Sequence, residues 1–284
     1  MVELAGTGGA GVYRQGFAGD SYNTAIYLAR EGLTVDYVTR LGDDSFSDAI
    51  IAELQAERLG TENIPRVARR QPGLYLISND ADGEREFHYW RERSPARELF
   101  DQPMALESCE LFYFTGITLA VTRSGIENLT AFLTGLKQRG SRIVFDPNYR
   151  PRLWENVSQA REYYRQVLPY CDTVMPTLED DLALWNITTP EACAGMYGEF
   201  GAAEIVVKGS GLLAHAVCRG EIVQRQAEMV RAVDTTGAGD SFNAAYLAAR
   251  LRGLPLEAAL VAGQQLAAQV VQHRGALLPR VTGH

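Results

Sequence analysis

The feature that most constrains the fold of this chain is a glycine-rich segment that leads into a helical pattern near its carboxyl end. A short apolar run ends at Val233, and residues 234–240 then read DTTGAGD. Apolar side chains recur after this segment at helical spacing, at Phe242, Ala245, Tyr246 and Ala249. The pattern predicts a strand, a glycine-rich loop and the first turn of a helix, which is the arrangement that builds an anion site.

The residues of this loop have the chemistry that an anion site needs. The amides of Ala238, Gly239 and Asp240 would point out of the helix N-terminus, where the macrodipole favours negative charge. Gly237 and Gly239 would let the backbone approach a phosphoryl group closely. Asp240, kept ionised by the helix terminus, could accept a proton from an attacking hydroxyl. The alternative is an ordinary capped helix that follows a glycine turn.

Length and composition allow one large α/β core. The chain has 284 residues, of which 46% are hydrophobic, and no apolar run approaches the roughly 18 residues of a membrane span. The first residues lack the basic and apolar regions of a signal peptide, so we expect a cytoplasmic protein. Four scattered cysteines and four histidines form no ligand pattern, and the net charge of −8 argues against nucleic acid as a partner.

The amino-terminal half predicts a β-α rhythm. The string Gly6-x-Gly8-x-x-Gly11 matches a dinucleotide fingerprint, but the strand and helix that should flank it are missing, so we interpret it as a loop. A helix capped by Asp20 or Ser21 is expected to run to about Arg30. A strand is predicted over 33–39, and Asp43 or Asp44 is expected to open a helix through Leu59.

Residues 73–91 predict a β-hairpin. Two strand-like runs flank residues 79–83, NDADG, which have turn chemistry. An antiparallel pair does not belong to a parallel sheet, so we assign the hairpin to a small lid of about residues 70–95, inserted within a single domain of residues 1–284. Tyr89 and Arg91 share one face of their strand, and Arg91 could pair with a substrate carboxylate. The alternative for Arg91 is a surface salt bridge to Glu84, Glu86 or Glu92.

The remaining chain predicts further strands and helices of one α/β core. Strands are expected at 111–116, 142–145, 173–175 and 204–208, and helices at 122–139 and 256–272. The string DPNYRPRLW, residues 146–154, follows the second of these strands, where open α/β sheets bind ligands. Arg150 within it is a second candidate for anion binding.

Several of these strings resemble one family. The segment DTTGAGDSF is similar to the second signature of the ribokinase-like (PfkB-type) sugar kinases, and GFAGDSYNTA resembles the first, with Ala18 where the family has glycine. The strings PGLY, YWR and DPNYRPRLW resemble those of the 2-keto-3-deoxygluconate kinases in particular. The resemblance implies an α/β fold of the ribokinase type, with a mostly parallel Rossmann-like sheet between helices and a small antiparallel β lid.

The resemblance also implies an activity, the transfer of the γ-phosphoryl of ATP to the terminal hydroxyl of 2-keto-3-deoxygluconate. Asp240 would be the catalytic base, with Gly237, Ala238 and Gly239 as the anion hole. The acid sugar would contact Gly19, Asp20, Asn23, Tyr75, Tyr89, Arg91, Arg150 and Asp240. The nucleotide would contact Asn148, Arg150, Lys208, Gly209, Gly211, Gly237 and Gly239.

The resemblance implies Mg²⁺ as well, and it leaves a monovalent-cation requirement open. Where the family often has Asn-x-x-Glu, this chain has Thr177 and Asp180, so Asp180 would reach the metal through water. The alternative is that Asp180 is simply an acid at a helix N-terminus. Relatives often pair their lids, which implies a homo-oligomer through the β lid.

Three alternatives to this function stay open. The chain could phosphorylate a neutral sugar such as fructose or ribose, or a nucleoside, or it could be a non-catalytic sugar-acid sensor.

Relatives begin with a further buried strand ahead of the residues that match 1–4. A sheet without that strand would expose apolar surface, so we expect a misassigned start rather than a real truncation.

Overall fold

The computed structural model describes residues 1–7, 11–79, 85–107, 109–209 and 212–280. The chain forms two compact units, Met1–Leu99 and Phe100–His284, called unit 1 and unit 2 below.

Unit 1 is built on a four-stranded sheet with the strand order β2-β1-β5-β6. Its elements are β1 (Val2–Gly6), β2 (Tyr13–Phe17), α1 (Asp20–Arg30), β3 (Leu41–Gly42), α2 (Ser45–Ala56), β4 (Arg66–Val67), β5 (Leu74–Asn79) and β6 (Arg85–Trp90). Strand β1 is antiparallel to β2 and parallel to β5, and β5 is antiparallel to β6. The predicted hairpin is therefore confirmed, although residues 80–84 of its turn lie outside the described residues.

The register of this sheet separates two faces. Glu3 pairs with Tyr75, and Tyr75 pairs with Tyr89, so these three residues lie in one row across the sheet. The neighbouring row begins at Val2 and continues through Leu74. Because side chains alternate along a strand, the two rows project to opposite faces, one polar and aromatic and the other apolar.

Three expectations for unit 1 need correction. Residues 33–39 form no strand. Their β-pairing is limited to one isolated parallel bridge between Asp36 and Gly60. The helix cap is Gly19 rather than Asp20 or Ser21, and Gly6 lies in a strand instead of a loop. The strand that was expected to be missing before the glycine string is present as β1, and β2 rather than a helix follows the string. Gly8 lies outside the described residues.

Unit 2 contains a six-stranded mixed sheet with helices. Its elements are β7 (Leu111–Thr115), α3 (Gly116–Val121), α4 (Ile126–Gln138), β8 (Arg142–Asp146), α5 (Val157–Val167), β9 (Thr173–Val174), α6 (Leu178–Trp185), α7 (Pro190–Glu199), β10 (Glu204–Lys208), β11 (Leu213–Cys218), β12 (Glu221–Gln226), α8 (Ala238–Leu251) and α9 (Leu256–Val270). The strand order is β12-β11-β10-β9-β8-β7. Strands β7 to β10 are parallel, and β11 and β12 add an antiparallel edge.

The helices and strands of unit 2 bury apolar faces as their spacing predicts. Leu129, Leu133 and Leu136 of α4 are all at most 1% exposed, and so is Val206 of β10. The helix expected over 122–139 is present as α4, but it begins later than expected, at Ile126, and ends at Gln138. In the described part of the chain, no helix combines the length and the apolar character that crossing a bilayer requires.

The apolar run before the glycine loop is not a strand. Strand β12 ends at Gln226, and Met229 and Val233 are 89% and 54% exposed. The amide of Val233 instead donates to the carbonyl of Val271, at the end of α9, over 2.7 Å. The segment is therefore held by a helix end and has no neighbouring strand to extend the sheet.

Candidate active site

The glycine loop of unit 2 is held in a shape that only glycine allows. Gly237 caps helix α8 with φ of 78°, in the left-handed region. A Cβ atom there would lie 2.7 Å from the carbonyl oxygen of Ala276. Asp234 joins the same two segments, because its carboxylate accepts the amides of Thr236 (3.0 Å) and Gly275 (2.7 Å). Asp234 was not predicted as a site residue, and only its DTTG context could have indicated it.

The predicted base and a predicted cation meet at this loop. Asp240 lies in the first turn of α8 and is half-buried. Lys208 ends β10, and its Nζ lies 3.9 Å from the position that a Cβ on Gly239 would take. The loop therefore combines amides at a helix N-terminus with a carboxylate and an ammonium group, which suits binding of a phosphoryl group and transfer of a proton.

A buried polar cluster lies under Lys208. The ammonium donates to Asn243 Oδ1 over 2.9 Å and lies 3.5 Å from Asp146 Oδ2. Asn243 Nδ2 donates to Asp146 Oδ2 over 2.7 Å and to the hydroxyl of Tyr113 over 3.1 Å. Asp146, Asn243 and Tyr113 were not predicted, because residues 97 and 130 positions apart must meet to form this cluster.

The turn after β8 carries another predicted residue to this region. Asn148 is buried with φ of 35°, a left-handed conformation that asparagine tolerates, and its amide donates to Asp146 Oδ1 over 3.2 Å. The hydroxyl of Tyr164 donates to the carbonyl of Pro147. The turn therefore has a fixed conformation that connects Asn148 to the polar cluster through Asp146.

Arg150 and Asp180 form an ion pair. Arg150 Nη1 lies 3.2 Å and 3.1 Å from the two carboxylate oxygens of Asp180. Burial raises the pKa of Asp180 above its ordinary value, and the charge of Arg150 opposes that rise. The side chain of Arg150 is half-exposed, so its guanidinium is accessible to an anionic ligand.

Gly209 and Gly211 are the remaining predicted nucleotide contacts of unit 2. The amide of Gly209 donates to the carbonyl of Leu213 over 3.0 Å, in the turn between β10 and β11. Gly211 lies outside the described residues.

Among the described residues, no group of three or more His, Cys, Asp or Glu side chains could hold a metal ion.

The candidate sugar contacts of unit 1 include a helix N-terminus. Gly19 caps α1, and the amide of Asn23 donates to the carbonyl of Gly19 over 2.7 Å. Asn23 is buried, at 4% exposure. Asp20 is the first residue of α1, a position where a carboxylate is stabilised by the helix dipole.

The aromatic row of the unit 1 sheet brings together three other candidates. The rings of Tyr75 and Tyr89 lie 5.8 Å apart, and the guanidinium of Arg91 lies over the Tyr89 ring at 4.4 Å. Burial lowers the pKa of Arg91 below its ordinary value. Two salt-bridge partners were considered for Arg91 on its own hairpin. The carboxylate of Glu86 lies 3.5 Å from Nε2 of His88 instead, and Glu84 lies outside the described residues.

Glu3 is a residue of this row that sequence reasoning missed. It is 7% exposed, and its carboxylate accepts the hydroxyl proton of Tyr75. This hydrogen bond fixes the orientation of the Tyr75 hydroxyl within the row. The alternation of β1 could have indicated Glu3, had β1 been recognised as a strand.

Comparison with known proteins defines the class of the molecule. The family model for pfkB family carbohydrate kinases matches residues 9–282, and the chain belongs to that family. Among solved structures, a PfkB protein from Polaromonas sp. JS666 superimposes with a TM-score of 0.86 at 26% identity, covering 96% of this chain and 93% of that one. This confirms the ribokinase-like α/β fold.

Individual relatives narrow the class further. The 2-dehydro-3-deoxygluconokinase of Escherichia coli K12 is 37% identical over 295 residues, covering 99% of this chain and 95% of the relative. A putative ribokinase II of E. coli, solved in complex with ATP and Mg²⁺, has a TM-score of 0.83 at 23% identity, covering 97% of this chain and 91% of that one.

Proposed function

We propose that this chain transfers the γ-phosphoryl of ATP to the terminal hydroxyl of 2-keto-3-deoxygluconate, giving 2-keto-3-deoxy-6-phosphogluconate and ADP. The observation that carries the proposal is the loop of unit 2, where Asp240, the Gly237–Gly239 amides and Lys208 lie together. The substrate is supported by the similarity to 2-dehydro-3-deoxygluconokinases over nearly the full chain.

The reaction follows from the chemistry of these groups. Asp240 accepts the proton of the sugar hydroxyl, whose oxygen forms a bond to the γ-phosphorus while the bond to the ADP oxygen breaks. The amides of the loop stabilise the charge that develops on the transferred group. Lys208, Asn148 and Arg150 bind phosphate oxygens. Catalysis on this scheme comes mainly from positioning and charge stabilisation.

Mg²⁺ is proposed as the cation that accompanies ATP and neutralises its phosphate charge. The residues present fit such an ion, because Mg²⁺ usually keeps several waters and binds through one or two carboxylates and the phosphates of a substrate. Asp180, which lies beside Arg150, would contact it through water.

Recognition of the acid sugar is assigned to the polar face of unit 1. Arg91 would pair with the carboxylate, which neutral sugars lack, while the aromatic rings of Tyr75 and Tyr89 would contact the carbon skeleton. Asp20 and Asn23, with the backbone of Gly19, would bind hydroxyl groups.

A panel assay tests the reaction. The wild-type protein, ATP, Mg²⁺ and a set of sugars are assayed for ADP release, and ADP release is expected with 2-keto-3-deoxygluconate above fructose, ribose and nucleosides. Asp240→Asn should lower kcat about 100- to 10,000-fold and leave sugar binding nearly intact, since it removes only the proton acceptor. Asp101→Asn, at an exposed position, is the matched control.

Two results of this assay would contradict the proposal. Near-normal turnover by Asp240→Asn would remove that residue from its role. Tight sugar-acid binding without ADP release from any sugar would indicate a sensor.

Arg91→Ala separates an acid-sugar kinase from a neutral-sugar kinase. Loss of a charged contact should raise KM for the sugar acid about 10-fold or more, while KM for ATP stays unchanged. Arg142→Ala, which removes an exposed ion pair with Glu110, is the control. Unchanged kinetics for Arg91→Ala with the sugar acid would favour a neutral substrate.

The oligomeric state and location are part of the same proposal. Two copies are proposed to pair through the apolar face of the unit 1 sheet. An open apolar pocket of about 380 Å³ lies there, lined by Val2, Leu4, Leu74, Leu76 and the half-exposed Trp90, among others. A cytoplasmic location is proposed because the reaction consumes ATP.

A further inference from the structure

Asn243 is a buried polar side chain that lies one turn into the helix after the anion loop. It is 0% exposed, and it is the sixth residue of α8. Asp240 lies three positions earlier, so the two side chains share one face of the helix. A polar side chain without exposure on this face needs partners, and its partners are charged.

The amide of Asn243 contacts a cation and an anion at once. Its oxygen accepts from Lys208 Nζ over 2.9 Å, and its nitrogen donates to Asp146 Oδ2 over 2.7 Å. A side-chain amide supplies an acceptor on its oxygen and donors on its nitrogen, so it can contact both charges at once. An aspartate in its place would set two carboxylates against each other, and a leucine would leave both partners without their bonds.

The position of Lys208 depends on this contact. A lysine ammonium is a point charge on a flexible four-carbon stem, so its location is set by its partners. The carboxylate of Asp146, at 3.5 Å, attracts the ammonium, whereas the oxygen of Asn243 holds it beside helix α8 and Gly239. Without the amide, the ammonium would move toward Asp146 and its charge would be neutralised there.

We propose that Asn243 is a positioning residue for phosphoryl transfer, which holds the Lys208 ammonium at the anion loop. This inference rests on the proposed function, in which Lys208 contacts the nucleotide phosphates. Asn243 itself touches no reacting atom in this scheme. Its effect should therefore be expressed entirely through Lys208.

A double-mutant cycle tests this dependence. Asn243→Leu, Lys208→Met and the double variant are compared for binding of a non-hydrolysable ATP analogue by calorimetry, and for kcat and both KM values. Asn243→Leu should weaken analogue binding about 10-fold or more, as expected for a hydrogen bond to a charged group, and leave KM for the sugar within about 2-fold. The double variant should bind no more weakly than Lys208→Met alone.

The controls separate positioning from folding. Tyr246→Phe removes a buried hydrogen bond to Glu204 from the same helix, and it should lower the thermal midpoint without changing analogue binding. If Asn243→Leu does not fold, Asn243→Asp preserves the shape and should also weaken analogue binding, because its carboxylate would face Asp146.

Three outcomes would overturn the inference: additive losses in the double variant, normal analogue binding by Asn243→Leu, or normal analogue binding by Asn243→Asp. Failure of the proposed function has a different signature. A wild-type protein that binds the analogue but phosphorylates no sugar would reject the kinase assignment, and the binding cycle would still decide the role of Asn243.

Discussion

At the scale of single residues, the glycine loop of residues 234–240 depends on one glycine and one aspartate. Gly237 combines a left-handed backbone with close contact to the backbone of Ala276, and Asp234 connects the two segments by hydrogen bonds. These contacts position the helix N-terminus before any ligand arrives. A loop of this kind is preorganised, so little reorganisation is required when charge develops on the transferred group.

Gly237→Ala should lower both stability and nucleotide binding. The left-handed conformation and the collision with Ala276 should together cost about 1–3 kcal/mol of the free energy of unfolding. The displaced loop should also weaken binding of an ATP analogue, measured by calorimetry. Gly253→Ala is a matched control, because Gly253 has φ of 79° but nothing within 4 Å of the added Cβ. Equal effects of the two variants would show that contact with Ala276 is unimportant.

At the scale of elements, a partly buried ion pair joins strand β10 to helix α8. Arg250 donates to both carboxylate oxygens of Glu204, at 3.0 Å and 2.9 Å for the shortest contacts, and Tyr246 donates to the same carboxylate over 2.7 Å. Burial alone would raise the pKa of Glu204, but these hydrogen bonds outweigh it and the pKa is lowered. The strand that carries Lys208 and the helix that carries Asp240 are thereby connected at their far ends.

The stability of the protein should therefore fall in acid partly through Glu204. A carboxylate with a lowered folded-state pKa stabilises the fold above its ordinary value of 4.5, and that contribution is lost as the pH falls through and below it. In denaturant titrations between about pH 6 and pH 3, Glu204→Gln should show a smaller loss of unfolding free energy than the wild type. Glu110→Gln, at an exposed pair, should behave as the wild type does. Identical pH slopes for all three proteins would contradict the assignment.

At the scale of the whole molecule, unit 1 exposes an apolar surface that the proposed assembly would cover. Trp90 is 57% exposed beside the apolar pocket on its face of the sheet. A contiguous exposed apolar patch on a sheet is a common site of association. The pairing of two copies would remove this surface from water without altering the loop of unit 2.

Trp90→Ser should therefore convert the dimer to a monomer, or raise the dissociation constant of the dimer about 10-fold or more. The reason is that large aromatic side chains dominate the binding energy of interfaces. Light scattering over a range of concentrations measures this. Met229→Ser, at an 89% exposed position of unit 2, should leave the mass unchanged. A wild-type protein that stays monomeric at every concentration would exclude the pairing.

Much of the fold could be predicted from local pattern. The hairpin strands β5 and β6, the strand β10 and the helix α8 follow from alternation, helical spacing and glycine placement, all of which act over a few residues. Two expected strands, at 33–39 and before the glycine loop, did not form. In both cases apolar composition was present, but the tertiary fold provided only an isolated backbone partner, Gly60 for the first segment and Val271 for the second.

The residues of the candidate site also fall into two groups, those that local sequence pattern identifies and those that it does not. Asp240, Gly237 and Gly239 could be identified from the sequence, because the helix and the glycine conformations that give them their chemistry are local. Their proposed roles stay predictions until the variants are measured. Asp146 and Asn243 could not be identified in this way, because each is defined by a partner on another element of the fold.

The sequence by itself determined where a glycine loop would precede a helix N-terminus, because backbone conformation at glycine and amide exposure at a helix start depend on adjacent residues. Only the tertiary structure decided which charges surround that loop. Lys208, Asp146 and Asn243 come from two strands and a helix, and their contacts arise from the order of strands in the sheet and the packing of α8 against it. Burial then turns an ordinary amide into the group that bridges a lysine and an aspartate.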